Sequence, residues 1–233
     1  MKKQSDGEPV SPGGLTRAPR QTRSERSLQR ILDATERILE TKDFAEVTVN
    51  EIVREARSSV GVFYSRFPDK MALLHVLDER FVAAVEADVE EFVRQHREAP
   101  LAEAVTELVR FVWRTYTRRK GMQRSLILRV RLSPNDRFQA AGRRLVRCID
   151  TVCDLLRERR AEIRHPDPAC ALRLGMTLVV AAVKEMVVFA QTTLLDLPEY
   201  ASEEALVRAL AEVWLSYLEN GAASPLPARV KQG

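Results

Sequence analysis

Glycine and proline interrupt helices, and in this 233-residue chain they collect at the two ends. Gly7, Pro9, Pro12, Gly13, Gly14 and Pro19 stand near the start, and Gly221, Pro225, Pro227 and Gly233 near the finish. Between residues 25 and 220 such breakers are few, and alanine, leucine, glutamate and arginine dominate. A chain patterned this way folds into helices, and its 45% hydrophobic content is enough to bury a sizeable core. The predicted class is all-α.

Several functional classes fall away on the same reading. The start has basic residues but no apolar run, so it does not read as a secretory signal. Leu178 to Val183 is the most apolar internal stretch, and Lys184 and Glu185 stop it far short of a membrane span. Cys148, Cys153 and Cys170 lack metal-like spacing and read as small buried thiols of a reduced, cytoplasmic chain. His75, His96 and His165 lie in different regions and form no ligand set. With no Gly-rich phosphate loop and no nucleophile–base pair, the chain is not expected to be an enzyme or to need a metal or cofactor. The net charge of +4 permits a nucleic-acid partner without requiring one.

Residues 1–23 carry Lys2, Lys3, Arg17, Arg20 and Arg23 against Asp6 and Glu8, which reads as a disordered basic arm able to add phosphate contacts. From Glu25 to about Thr41, Leu28, Ile31, Leu32, Ile38 and Leu39 follow helical spacing. Thr48-Val49-Asn50-Glu51 is a capping-box pattern opening a short helix that buries Ile52, Val53 and Ala56 and ends near Arg57. Ser59 then caps a second short helix, from Val60 to about Phe67. Pro68-Asp69 closes it and starts a long fourth helix with Leu73, Leu74, Leu77 and Phe81 on one side.

A short capped helix, a tight turn and a second short helix make a helix-turn-helix, whose second helix enters the major groove. Gly61 and Val62 are small enough for close approach to base edges, and Phe63 and Phe67 anchor the helix from behind. Ser58, Ser59 and Tyr64 offer hydroxyls to phosphates, and Lys70 offers its ammonium at the start of the long helix. Thr48, Val60, Ser65 and Arg66 complete the candidate DNA-binding set.

The stretch ILDATERILETKDFAEVTVNEIVREARSSVGVFYSRFPDKMALL, residues 31–74, resembles the N-terminal domain of TetR-type transcriptional regulators. Phe44, Thr48-Val49, Ile52, Ala56, Ser59, Gly61, Phe63-Tyr64, Phe67 and Lys70-x-x-Leu73-Leu74 fall in register with that family. Arg57 occupies the turn where the family often has glycine, which implies a non-glycine residue near positive φ. Ser58 stands where an apolar residue is common. The resemblance implies a DNA-binding domain over residues 24–74, joined by a long fourth helix to a larger helical domain over 75–220, with a flexible tail at 221–233.

Further helices are predicted at about 101–119, 122–132, 136–164, 168–195 and 202–220, making about nine in all, with Gly121 read as a break. The apolar faces of the last two carry Leu172, Met176, Val183, Leu206, Val213 and Trp214. They look wide enough for a partner, and similar proteins form homodimers through these helices. Twofold symmetry places two recognition helices on a palindromic operator in double-stranded DNA. Between Leu108 and Asn135 there are eight basic residues and no acidic one, from Arg110 to Arg131. They read either as a solvated face that also touches the DNA-binding domain, or as the lining of a cavity for an anionic effector. Phe92, Trp113, Tyr116, Arg129 and Met176 are the candidate effector-pocket residues. The predicted function is a repressor released from its operator by a small molecule. A helical protein-interaction module, an activator and a ligand-independent regulator are the alternatives.

Overall fold

A computed structural model of the chain describes residues 20–132, 136–189 and 202–220. Among them are nine α-helices and no strand: α1 (Arg20–Leu39), α2 (Val49–Glu55), α3 (Val60–Tyr64), α4 (Lys70–Gln95), α5 (Leu101–Thr117), α6 (Lys120–Leu132), α7 (Asp136–Arg157), α8 (Pro168–Val183) and α9 (Glu203–Asn220). A 3₁₀ turn at Arg160–Glu162 follows α7, and a π-helical turn at Lys184–Val188 extends α8. The expected all-helical class and helix number hold. Of the expected basic arm, residues 20–23 join α1, while 1–19 and the tail at 221–233 lie outside the described residues.

Local chemistry places the first helices. Thr48 Oγ1 accepts from the Glu51 N–H at 3.2 Å, and the Thr48 N–H donates to the Glu51 carboxylate at 2.9 Å, closing the capping box of α2. Ser59 caps α3 by accepting from the Val62 N–H at 3.2 Å, and Asp69 caps α4 by accepting from Ala72 at 2.7 Å. Between α2 and α3 the chain reverses through a Schellman turn. The Ser58 N–H donates to Val53 O at 2.8 Å and the Arg57 N–H to Arg54 O at 3.2 Å, with Arg57 left-handed at φ 48°. That is the strained non-glycine position expected from the sequence. As a regular helix, α3 stops at Tyr64, three residues before its expected end, and a bonded turn carries the chain on to Phe67.

Ile31, Leu32, Leu39, Ile52, Phe63 and Phe67 form the core of the first three helices, closed by Leu73, Leu74 and Leu77 at the start of α4. Helix α4 then runs on into the larger helical body, where it lies along α7; α5 packs on α9, and α7 on α8. Arg144 of α7 bridges Glu79 and Glu86 of α4, each at 2.5 Å, and Arg80 of α4 reaches Asp33 of α1 at 2.6 Å. Pairs this exposed contribute about 0–1 kcal/mol each, so burial carries the stability and the ions set the register.

Two glycines mark the closest approaches in the larger body. Gly121, expected as a break, lies inside α6, and a Cβ there would sit 2.0 Å from the Leu39 carbonyl oxygen. Glycine at this position lets α6 rest directly on the C-terminal end of α1. At Gly175 a Cβ would meet the Trp214 indole nitrogen at 2.0 Å, so α8 receives the large ring of α9 in a niche. Met176, Val179, Leu206, Trp214 and Leu218 are thereby buried within one subunit, while Leu174, Leu178 and Val213 stay 40%, 54% and 66% exposed.

The basic stretch turns out to hold helices together. Arg110 pairs with Glu203 and Glu204 of α9 at 3.4 and 3.1 Å, and Arg114 with Glu203 at 3.2 Å. Arg119 reaches Glu36 of α1 at 3.4 Å, and Arg124 reaches Asp43 in the α1–α2 link at 3.0 Å. Arg119 and Arg124 thus touch the N-terminal helices, as the first of the two readings has it, while Arg110 and Arg114 bind α9 beside a surface groove.

Candidate functional site

Helix α3 is built from the inside out. Phe63 is fully buried, with its ring centroid 5.3 Å from that of Tyr64 and 5.2 Å from that of Phe67. The opposite face is bare: Val60, Val62 and Tyr64 are 40%, 37% and 53% exposed, and a Cβ added at Gly61 would meet nothing within 4 Å. Ser59 accepts the helix's capping bond, which leaves its hydroxyl proton for a partner. Ser65 donates to Val62 O at 2.9 Å, and Ser58 is half-buried at the turn. Five residues of helix, held from behind by two phenylalanines, thus present a small, level face to solvent.

Three of the expected DNA contacts are drawn into the fold instead. The Lys70 ammonium donates to the carbonyls of Phe44 and Val47, both at 2.7 Å, and of Ala45 at 3.3 Å, and lies 4.7 Å from the Phe44 ring centroid. Its three protons tie the α1–α2 link to the start of α4, which corrects the expected phosphate contact. Burial, and then the nearby Arg129 guanidinium, pull its pKa below the ordinary lysine value. Arg66 donates to Ser24 O at 2.6 Å and to Ser24 Oγ at 2.8 Å, binding the end of the α3 turn to α1, and its Nε is buried without a partner. Thr48 spends its hydroxyl proton on Glu51 at 2.9 Å. The Lys42 ammonium, 2.5 Å from Glu51, and the Thr48 bonds hold that carboxylate down to about 2.

The larger body contains an apolar cavity of about 170 Å³ lined by α4 to α8. Val85, Leu108, Phe111, Val112 and Ile149 give it a hydrocarbon wall, and among the described residues that line it none carries a charge. Tyr116 and Met176, two of the candidate effector-pocket residues, line it. Phe92 lies instead in an adjoining surface groove with Arg110 and Arg114. Trp113 packs against the core outside the cavity, and Arg129 sits near Lys70. The faces of α4, α5 and α6 turn these three side chains away from this cavity.

Four polar side chains face this space. Thr115 donates to Phe111 O at 2.8 Å and is spent on its own helix. Burial pushes the Tyr116 phenol and the Cys148 thiol up, so both stay neutral. Gln123 is 4% exposed, and its Nε2 is buried without a hydrogen-bond partner among the described residues, at a cost of about 1–3 kcal/mol. The sequence reading passed over Gln123. Its signal was available in the helical spacing, three residues before Leu126 and four before Ile127, both on the inner face of α6.

Comparison with known proteins agrees with this geometry. Residues 31–77 match the family described as bacterial regulatory proteins, tetR family. The HTH-type transcriptional regulator EthR of Mycolicibacterium smegmatis is 25% identical over 206 residues, covering 86% of this chain and 92% of EthR. A TetR-family regulator from Mesorhizobium loti superposes with a TM-score of 0.63 at 19% identity, over 83% of this chain and 97% of that one. The regulator FadR from Bacillus subtilis, solved in complex with stearoyl-CoA, superposes with a TM-score of 0.60 at 19% identity, over 83% and 98% of the two chains. Residues 31–77, which include the bare helix α3, thus match the tetR-family DNA-binding region, and the rest of the chain shares the fold of solved TetR-family regulators.

Proposed function

We propose that the chain acts as a homodimeric repressor, which grips a palindromic operator through α3 and releases it when a small molecule fills the apolar cavity. The observation that carries this reading is the open face of α3 around Gly61. Val60, Gly61, Val62 and Tyr64 meet base edges and the neighbouring backbone, while the hydroxyls of Ser58, Ser59 and Ser65 lie beside the phosphates. On this reading residues 24–74 are the DNA-binding unit and 75–220 the effector and dimerisation unit. The family match over 31–77 supports the first of these.

A five-residue helix reads too few base pairs to choose one site, so a second copy must supply another. Leu174 and Leu178, four residues apart on α8, and Val213 on α9 are exposed apolar side chains that suit such a copy. Release follows from the placement of α6. Its inner face lines the cavity at Gln123 and Ile127, and its first turn rests on the end of α1 at Gly121. A ligand that shifts α6 therefore shifts α1 and, through α2, the recognition helix, and weakens operator binding by its differential affinity for the two states. The stearoyl-CoA complex of a structural neighbour supports a small-molecule ligand for this fold. The chain works in the cytoplasm and catalyses no reaction; among the described residues no helix is long and apolar enough to cross a membrane.

The test is selection of tight binders from a random duplex pool, followed by anisotropy on the enriched duplex at rising salt. An inverted repeat is expected, with log K falling linearly in log salt as the phosphate contacts are screened. Folded protein that enriches nothing would favour the protein-interaction module.

A further inference from the structure

The cavity carries a chemical specification of its own. Among the described residues its lining is hydrocarbon and uncharged, so a carboxylate held there would lose its water and find no cation on that wall. Of the arginines that suggested an acidic ligand, Arg110, Arg114 and Arg118 line the adjoining groove and not this wall, and the first two bind Glu203 and Glu204. At about 170 Å³ the space is close to the engineered apolar cavity of about 150 Å³ that takes benzene. One buried donor in its lining, the Gln123 amide, is unpartnered among the described residues. An unpaired donor in apolar surroundings is a standing cost that a ligand oxygen would remove.

We infer that the effector is a small uncharged molecule with an apolar body about the size of a substituted benzene and one hydrogen-bond acceptor, a carbonyl or ether oxygen, which Gln123 receives. This rests on the reading of the cavity as the effector site. Gln123 is then the specificity-determining residue, because the remaining contacts are non-directional. It also stands two residues from Gly121, so the group that recognises the ligand belongs to the turn of α6 that rests on α1.

Acetophenone, α-methylstyrene and benzoate test this by isothermal titration calorimetry on the full chain. The first two share a shape and differ in the acceptor, and the third adds a charge. Expected is measurable binding of both neutral probes and at least tenfold weaker binding of benzoate than of acetophenone. The ratio of the α-methylstyrene Kd to the acetophenone Kd should fall about tenfold in Gln123→Leu, the worth of one buried hydrogen bond. Gln123→Met, close in shape to the native side chain, should give the same change if Gln123→Leu folds poorly. A ratio unchanged by either substitution overturns the assignment of Gln123, as it would if water already satisfied the amide. Benzoate binding as tightly as acetophenone, or no binding of either neutral probe, overturns the ligand class. Anisotropy on the selected duplex separates the two levels. Acetophenone that binds without loosening the duplex supports the ligand class and removes the release mechanism; duplex binding with no neutral probe bound overturns the ligand class and leaves the regulator.

Discussion

Gly61 on α3 and Gly121 on α6 are the same residue put to opposite uses. Around Gly61 an added Cβ would meet nothing within 4 Å, whereas at Gly121 it would lie 2.0 Å from the Leu39 carbonyl oxygen. The first is small for something outside the chain and the second for the chain itself. The surrounding regions follow suit. The N-terminal helices spend their polar groups on caps and turns and leave one face of α3 bare. The larger body turns its small and polar residues inward, at Gly175 beneath Trp214 and at Gln123 in the cavity. A DNA reader needs a surface kept open by a rigid support, and a ligand sensor needs an interior in contact with that support.

The largest effect is expected where the inward glycine is filled. Gly121→Ala drives a methyl group into backbone, which cannot rotate aside, and should cost about 3 kcal/mol in urea unfolding. Gly175→Ala meets the Trp214 side chain, which can move, and should cost less, about 2 kcal/mol. Equal losses at both sites would mean that α6 does not rest on α1 as closely as described.

Lys70→Met comes next. It removes the bonds to three carbonyls of the α1–α2 link and should lower stability by about 2 kcal/mol, as for hydrogen bonds to a charged group. Under conditions where the variant is folded, its affinity for the selected duplex should stay near the wild-type value. An unchanged melting curve with lost DNA binding would restore Lys70 as a phosphate ligand.

Asp78 of α4 adds a pH dependence. Burial, with Glu79 adding to it, lifts its carboxyl from 3.8 to about 6. The folded chain therefore holds this proton more tightly than the unfolded chain between those two values. Stability loses this contribution as pH rises through the window and levels off above it. Asp78→Asn should remove that loss, so the variant should gain on wild type between about pH 4 and 6 by on the order of 1 kcal/mol, allowing for solvent screening. A constant difference across pH, measured by denaturation at several values, would place the titration elsewhere.

Arg57→Gly should give the smallest of these changes, a gain of about 0.5–1 kcal/mol, since glycine adopts φ 48° without the cost a side chain incurs. Arg57→Val should move stability the other way. Both are read by thermal melting.

What the sequence made legible was short-range. The Thr48–Glu51 box, the Ser59 and Asp69 caps and the strained turn at Arg57 depend on neighbours within a few residues, and each forms as expected. The recognition face followed from them, because a cap and two buried phenylalanines fix which side of α3 is left outside. Lys70 was misread because its carbonyl partners lie 23 to 26 residues away, in a link with no pattern of its own. Gly121 looked like a helix break because the helix end that needs it small is remote in sequence. Phe92 and Trp113 were placed in the pocket, and Gln123 left out, for a related reason. Periodicity says that a side chain faces inward; it does not say which of several packed neighbours, or which cavity, it meets.

The most direct test of the open face runs the random-duplex selection on wild type and Gly61→Ala side by side, with both melting curves recorded. Alanine in the middle of α3 should leave the melting temperature unchanged or slightly raised. If the face around Gly61 approaches base edges, wild type will enrich an inverted repeat, and the variant will enrich one changed at symmetric positions of each half-site, or none. The same repeat with the same affinity from both proteins would contradict the account.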